Sequence, residues 1–121
     1  MTFRQALAFW TKLRGVALRL LFQEEQMAAY VIGEIEVTDP ATYGEYGKQV
    51  LATIEKFGGR FVVRGGAVEA LEGGWAPKRL VILEFPTMAK ARDWYRSAEY
   101  APLIKLRQKA SRGKLVAVEG A

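Results

Sequence analysis

Three charged side chains of this sequence, Glu34, Arg64 and Glu84, stand where they could do chemistry. Each lies in a stretch that alternates apolar and polar residues, so strand alternation sends all three to one side of a sheet. A carboxylate held among apolar groups has a raised pKa and serves as a general acid or base. A guanidinium beside it binds a carboxylate ligand or stabilises an enolate. The competing reading is an ion pair that neutralises itself at an interface, since structural ion pairs also perturb pKa values.

What the sequence lacks narrows the chemistry. It has no histidine and no cysteine. Disulfides, thiolate nucleophiles and Cys or His zinc sites are excluded, as are Ser-His-Asp catalysis and a proximal-histidine haem. Catalysis is left to carboxylates, Lys, Arg, Tyr, Ser, Thr or a borrowed cofactor. The expected complement of metals and cofactors is none.

A second group of residues has the character of ligand contacts: Tyr46, Trp75, Arg79, Trp94, Tyr95, Ser97 and Tyr100. Trp94 and Tyr95 fall in a helical pattern and read first as core. Trp75 stands in a glycine-flanked turn, where an aromatic next to a cavity mouth acts as a lid. Ser97 precedes Pro102 and reads also as a cap. Arg64-Gly65-Gly66 is a single copy inside a strand pattern, not an RNA-binding array, and no phosphate-cradling glycine loop is present.

The elements that must position these residues follow from the apolar periodicity. Ala28 to Val37 alternates as a strand. Asp39 and Pro40 start a helix as N-cap and first residue, and Tyr43, Tyr46 or Gly47, Val50, Ile54 and Phe57 continue it up to Gly58-Gly59. Gly44 and Gly47 cost about 1 kcal/mol each in that helix relative to Ala, so close packing or a nearby ligand is expected there. Arg60 to Leu71 reads as a second strand, bulged at Gly65-Gly66, and Glu72-Gly73-Gly74 as a turn. Arg79 to Phe85 is a third strand. Thr87 caps a second helix, which Pro102 breaks near Glu99 to Ala101. The helix resumes through Leu103, Leu106 and Lys109 until Gly113, and Leu115 to Val118 is the last strand.

The order β-α-β-β-α-β is that of an α+β, ferredoxin-like fold with a four-stranded antiparallel sheet. Val31, Ile35, Phe61, Val63, Val81, Leu83 and Phe85 belong under the two helices. The other face carries Tyr30, Ile32, Glu34, Val62, Arg64, Leu80, Ile82, Glu84, Val116 and Val118. That mixture suits neither solvent nor a dry core, so a homodimer pairing sheet to sheet is expected.

The chain has 121 residues, half of them hydrophobic and 26% charged, with a net charge of +5. That is room for one domain. No apolar run approaches the roughly 18–20 residues of a membrane span. Basic and acidic residues interleave without the basic stripe of a nucleic-acid binder. Neither a membrane nor a nucleic acid is an expected partner, and the expected location is cytoplasmic. Residues 1–26 differ in character, with four basic residues against two acidic ones among helically spaced apolar positions. Lys12, Arg14 and Arg19 interrupt any signal-peptide core. The segment reads either as an N-terminal extension from an early start codon, outside a domain spanning 27–121, or as a surface-binding amphipathic helix.

Two blocks carry a resemblance. The first holds Arg64-Gly65-Gly66, Glu72-Gly73-Gly74-Trp75-Ala76-Pro77-Lys78-Arg79 and Glu84-Phe85-Pro86. The second is Trp94-Tyr95-Arg96-Ser97-Ala98-Glu99-Tyr100. In this order they resemble the bacterial family of domain of unknown function 1330, within the dimeric α/β-barrel superfamily, over about residues 28–121. The resemblance implies a ferredoxin-like fold and a homodimer, and no established activity. Superfamily relatives include cofactor-independent monooxygenases, muconolactone-type isomerases, haem-degrading enzymes and chlorite dismutases. The last two look to use a histidine that this chain lacks. The expected function is that of a metal- and haem-independent enzyme acting on a small organic molecule, or of a ligand-binding or regulatory homodimer without catalysis.

Overall fold

The computed structural model describes residues 27–121. The expectation that residues 1–26 stand apart from the fold lies outside the described residues. The elements run β1 (Ala29–Val37), α1 (Pro40–Lys56), β2 (Arg60–Arg64), β3 (Arg79–Phe85), α2 (Met88–Tyr95), α3 (Ala101–Ala110) and β4 (Ser111–Glu119). The four strands form one antiparallel sheet in the order β2-β3-β1-β4. This is the ferredoxin-like arrangement, and the helices cover one face of the sheet.

Local chemistry sets the helix ends. The Asp39 carboxylate accepts hydrogen bonds from the Thr42 amide at 3.2 Å and the Thr42 hydroxyl at 2.6 Å. These contacts hold its pKa below the ordinary value, and the side chain satisfies an amide that the first turn would leave unpaired. Thr87 caps α2 through the Lys90 amide. Pro102 has no N–H to continue a helix, and the chain accordingly turns over residues 96–100 before α3 begins. Ser97 organises that turn: its hydroxyl accepts from the Tyr100 amide and donates to the Trp94 carbonyl.

The core lies between the sheet and the helices. Val31, Ile35, Leu83 and Phe85 meet Val50, Ile54, Trp94 and Leu103 there. Burying side chains of this size contributes about 1.5–3 kcal/mol each.

The structure corrects three expectations. First, β2 ends at Arg64 instead of Leu71. Gly65 has φ +70° and its amide makes a last bond to the Leu80 carbonyl, after which the chain leaves the sheet as a loop over residues 65–78. Second, Gly113 lies inside β4 and does not close a helix. Helix α3 stops at Ala110, and Ser111 already pairs with Val37. A side chain at Gly113 would meet the Glu34 carbonyl at 2.5 Å, so glycine lets β1 and β4 approach.

The third correction concerns which way β2 faces. Phe61 pairs with Leu83, but Val63 pairs with Ile82 and Arg64 with Val81, a register shift between Phe61 and Val63. The extra residue of this bulge reverses the alternation beyond it. Val63 therefore goes to the helix-free face and Arg64 to the helix side, opposite to simple alternation.

Candidate functional site

The bulge separates the three charged residues singled out in the sequence. Glu34 and Glu84 do share the helix-free face, but Glu84 pairs across strands with Tyr30 and Glu34 with Leu80. Four residues of strand put them about 13 Å apart. Glu84 faces Arg60, with two nitrogen–oxygen distances of 3.4 Å. Contact with the Glu84 carboxylate, and its charge, raise the pKa of the Tyr30 phenol. Glu34 accepts a 3.4 Å hydrogen bond from the Trp75 indole. Trp75 itself, on the 65–78 loop, is 61% exposed. These contacts hold the loop and the strands together, and they do not converge on a common point.

A different constellation forms on the helix side. Between the sheet and α1 lies a cavity of about 50 Å³, walled by Val31, Ile35, Val81, Leu83 and Leu115 and roofed from α1 by Tyr43, Tyr46 and Val50. Three guanidinium groups reach it, from Arg64, Arg79 and Arg107, and no carboxylate lines it among the described residues.

Each polar group there is fixed by its surroundings. The hydroxyls of Tyr46 and Tyr100 hydrogen-bond to each other at 2.8 Å, and both residues are buried. Tyr100 stacks on Trp94 with ring centroids 4.1 Å apart. Trp94, fully buried, donates its indole N–H to the Thr53 hydroxyl at 3.0 Å. The aromatic that reads as core is core, and it holds the tyrosine pair in place.

Arg64 donates from Nη2 to the Gly47 carbonyl at 2.9 Å and lies 4.2 Å over the Phe61 ring. A Cβ on Gly47 would stand 4.0 Å from that guanidinium, an ordinary contact, and Gly44 faces open space, so the close packing expected at these two glycines is not found. Arg79 lies 5.4 Å over the Tyr43 ring. Its guanidinium occupies the volume that a Cβ on Gly65 would need, so the Arg-Gly-Gly sequence makes room for a neighbouring arginine.

Electrostatics decides what the pair of phenols can do. Burial pushes the Tyr46 pKa well above its ordinary value of 10.0, and the Tyr100 charge and hydroxyl push it further. Burial also raises Tyr100, although its hydrogen bond to Tyr46 and the nearby Arg107 act against the shift. Both phenols are neutral at physiological pH. They offer hydrogen bonds and cannot act as bases.

Of the ligand-contact residues expected from sequence, Tyr46, Arg79, Trp94 and Tyr100 line this cavity. Trp75 and Tyr95 do not; Tyr95 is 42% exposed and lines a separate cleft between α2 and β4, with its ring 6.0 Å from that of Tyr100. Ser97 acts on the cavity through the turn that carries Tyr100. Sequence reasoning missed Tyr43 and, above all, Arg107. The signal was there: Leu103, Arg107 and Ala110 stand at i, i+4 and i+7, the spacing of one buried helical face, and a charge on that face invites explanation.

The family model for "Domain of unknown function (DUF1330)" matches residues 28–121. The chain belongs to this family. No curated protein matches its sequence significantly. Among solved structures it is similar to RPA0582 of Rhodopseudomonas palustris, a protein of unknown function, with TM-score 0.65 and 19% identity over 88% of this chain and 92% of the other. It is also similar to SnoaB of Streptomyces nogalater, a cofactor-independent oxygenase, with TM-score 0.55 and 10% identity over 78% and 94%. A conserved protein of unknown function from Bacteroides thetaiotaomicron aligns with TM-score 0.53 and 12% identity over 78% and 99%. At these identities the likeness is one of fold. No described helix is long and apolar enough to cross a membrane.

Proposed function

We propose that the protein binds a small organic molecule in the cavity between its sheet and α1, as a homodimer with one such cavity per subunit. The observation that carries this reading is the combination of apolar walls with a few fixed polar groups, the usual make-up of a ligand site. A core needs no such set: a buried guanidinium such as that of Arg107, only 6% exposed, costs free energy unless something pairs with it. About 50 Å³ holds three to five waters, at roughly 10–15 Å³ each on this scale, so the ligand has only a few heavy atoms unless the roof opens.

Recognition is favoured over proton-abstracting catalysis because the polar groups lining the cavity are phenols and guanidinium groups, with no carboxylate among the described residues. The carboxylates first suspected, Glu34 and Glu84, are on the other side of the sheet. An enzymatic reading survives for substrates that need only hydrogen-bond donors and positive charge, with the substrate or a co-reactant supplying the rest. SnoaB, a cofactor-independent oxygenase of similar fold, keeps that reading in play.

Native mass spectrometry of the gently purified protein tests the proposal. A bound small molecule that is lost on replacing Tyr100 by Leu supports it. A ligand that stays bound in the Tyr100→Leu variant places the site elsewhere.

A further inference from the structure

We infer that the ligand of this cavity is a small monocarboxylate, its carboxylate seated on Arg107. The inference rests on the cavity reading above and adds the ligand's class. Arg107 is only 6% exposed, and its Nε has no hydrogen-bond partner among the described residues. The Nε of Arg79 is likewise buried without a partner. None of the four ion pairs among the described residues uses Arg64, Arg79 or Arg107. A buried charge without a counter-charge is strongly unfavourable, and a guanidinium presents a fork of donors that matches an anion with two oxygens.

The other surroundings choose among anions. Tyr46, Tyr100 and Arg107 line the same cavity. The two phenols supply further donors to an oxyanion. Apart from the three guanidinium groups and the tyrosine hydroxyls, the walls are aliphatic and aromatic carbon, Phe61 and Trp94 included, and would desolvate a phosphate dianion, which needs donors on every side. A carboxylate with a short apolar tail satisfies both ends of the space: charge toward Arg107, carbon toward Val31, Val81 and Leu83. Arg64 and Arg79 add positive potential that draws such an anion in.

The experiment follows the arginine Nε–H signals and the Trp94 indole signal by NMR on the full chain, during titration with propionate, propionamide and inorganic phosphate. Propionate is expected to shift the Arg107 and Arg79 Nε–H signals, and propionamide, of the same shape without charge, to bind at least tenfold more weakly. Equal binding of the amide overturns the anion assignment while leaving the cavity reading intact. So does a Trp94 response to propionate without movement of the Arg107 signal. Tighter binding of phosphate overturns the carboxylate class. If no probe moves any of these signals, both the inference and the cavity reading fail. Replacing Arg107 by Met should lower propionate affinity tenfold to about a hundredfold without lowering the melting temperature, because the apolar side chain removes an unpaired buried charge. Unchanged affinity in this variant also overturns the assignment.

Discussion

At the scale of single residues, the two glycines of Arg64-Gly65-Gly66 have different tasks. Gly65 has positive φ and yields its side-chain space to Arg79, whereas Gly66 has neither constraint. Gly65→Ala should destabilise the protein by about 1–2 kcal/mol from backbone strain alone, with further loss from displacing Arg79. Gly66→Ala should stay within about 0.5 kcal/mol of the parent, and urea midpoints of the two variants decide the point. A second expectation concerns alkaline pH. Tyr46 and Tyr100 have pKa values raised above 10.0 by burial, so the folded chain keeps protons that the unfolded chain releases. Their contribution is fully present below pH 10 and is lost as pH rises above it toward the folded-state values. Urea unfolding from pH 8 to 11 should show this loss, and Tyr46→Phe combined with Tyr100→Phe should flatten it. Much of this site was legible in part. The tyrosines and Arg79 stand out by type, but Arg64 was assigned to the wrong face because a bulge of one residue is invisible to simple alternation. Arg107 is hidden by helical context, where a charged residue ordinarily points to water.

At the scale of elements, helix and strand positions follow from periodicity and caps, and the errors fall where glycine has more than one meaning. Gly65 ends a strand that alternation alone would prolong to Leu71. Gly113 sits within a strand although glycine after a helix ordinarily closes it. In both places the deciding factor is a neighbour distant in sequence: the Arg79 guanidinium in one case and the β1 backbone in the other. Exposed carboxylates then tie elements together. Asp39 caps α1, Glu36 pairs with Lys78 of the 65–78 loop at 2.9 Å, and Glu99 of the turn before α3 pairs with Lys56 at the end of α1. All three have pKa values lowered, Asp39 and Glu36 and Glu99 alike, chiefly by these hydrogen bonds. A depressed pKa means that the stabilisation is present above the ordinary values, 3.8 for Asp and 4.5 for Glu, and is lost as pH falls through the folded-state values. Melting temperature should therefore be flat from pH 7 to about 5 and fall below it. Replacing Glu36, Asp39 and Glu99 together by their amides should lower the pH 7 value and weaken the acid-side fall.

At the scale of the whole molecule, the helix-free face of the sheet argues for a second copy. Its register produces three rows across the strands. The middle row is Val63, Ile82, Ile32 and Val116, all β-branched and apolar. On one side lies the row Arg60, Glu84, Tyr30 and Val118, and on the other Leu80, Glu34 and Lys114. An apolar stripe bordered by charges of both signs is self-complementary under a two-fold rotation, because each border row can meet its opposite sign in the other copy. In the single chain Val116 is 59% exposed, Val62 46% and Val118 45%, and these three stand together on this face, while the other exposed apolar side chains, Leu71 and Trp75 among them, belong to the 65–78 loop and the helices. We expect light scattering to give twice the mass of one chain at micromolar concentration. Val116→Glu puts a charge at the centre of the stripe, at a site where the isolated chain tolerates it, since a half-exposed strand position costs little to change. The variant should therefore run as a folded monomer, with unchanged far-ultraviolet circular dichroism and weaker resistance to urea. Because the cavity of the proposed ligand is built from one chain alone, the Val116→Glu monomer should still shift its Arg107 Nε–H signal with propionate. A parent protein that is already monomeric, or a variant that stays dimeric, rules out pairing through this face.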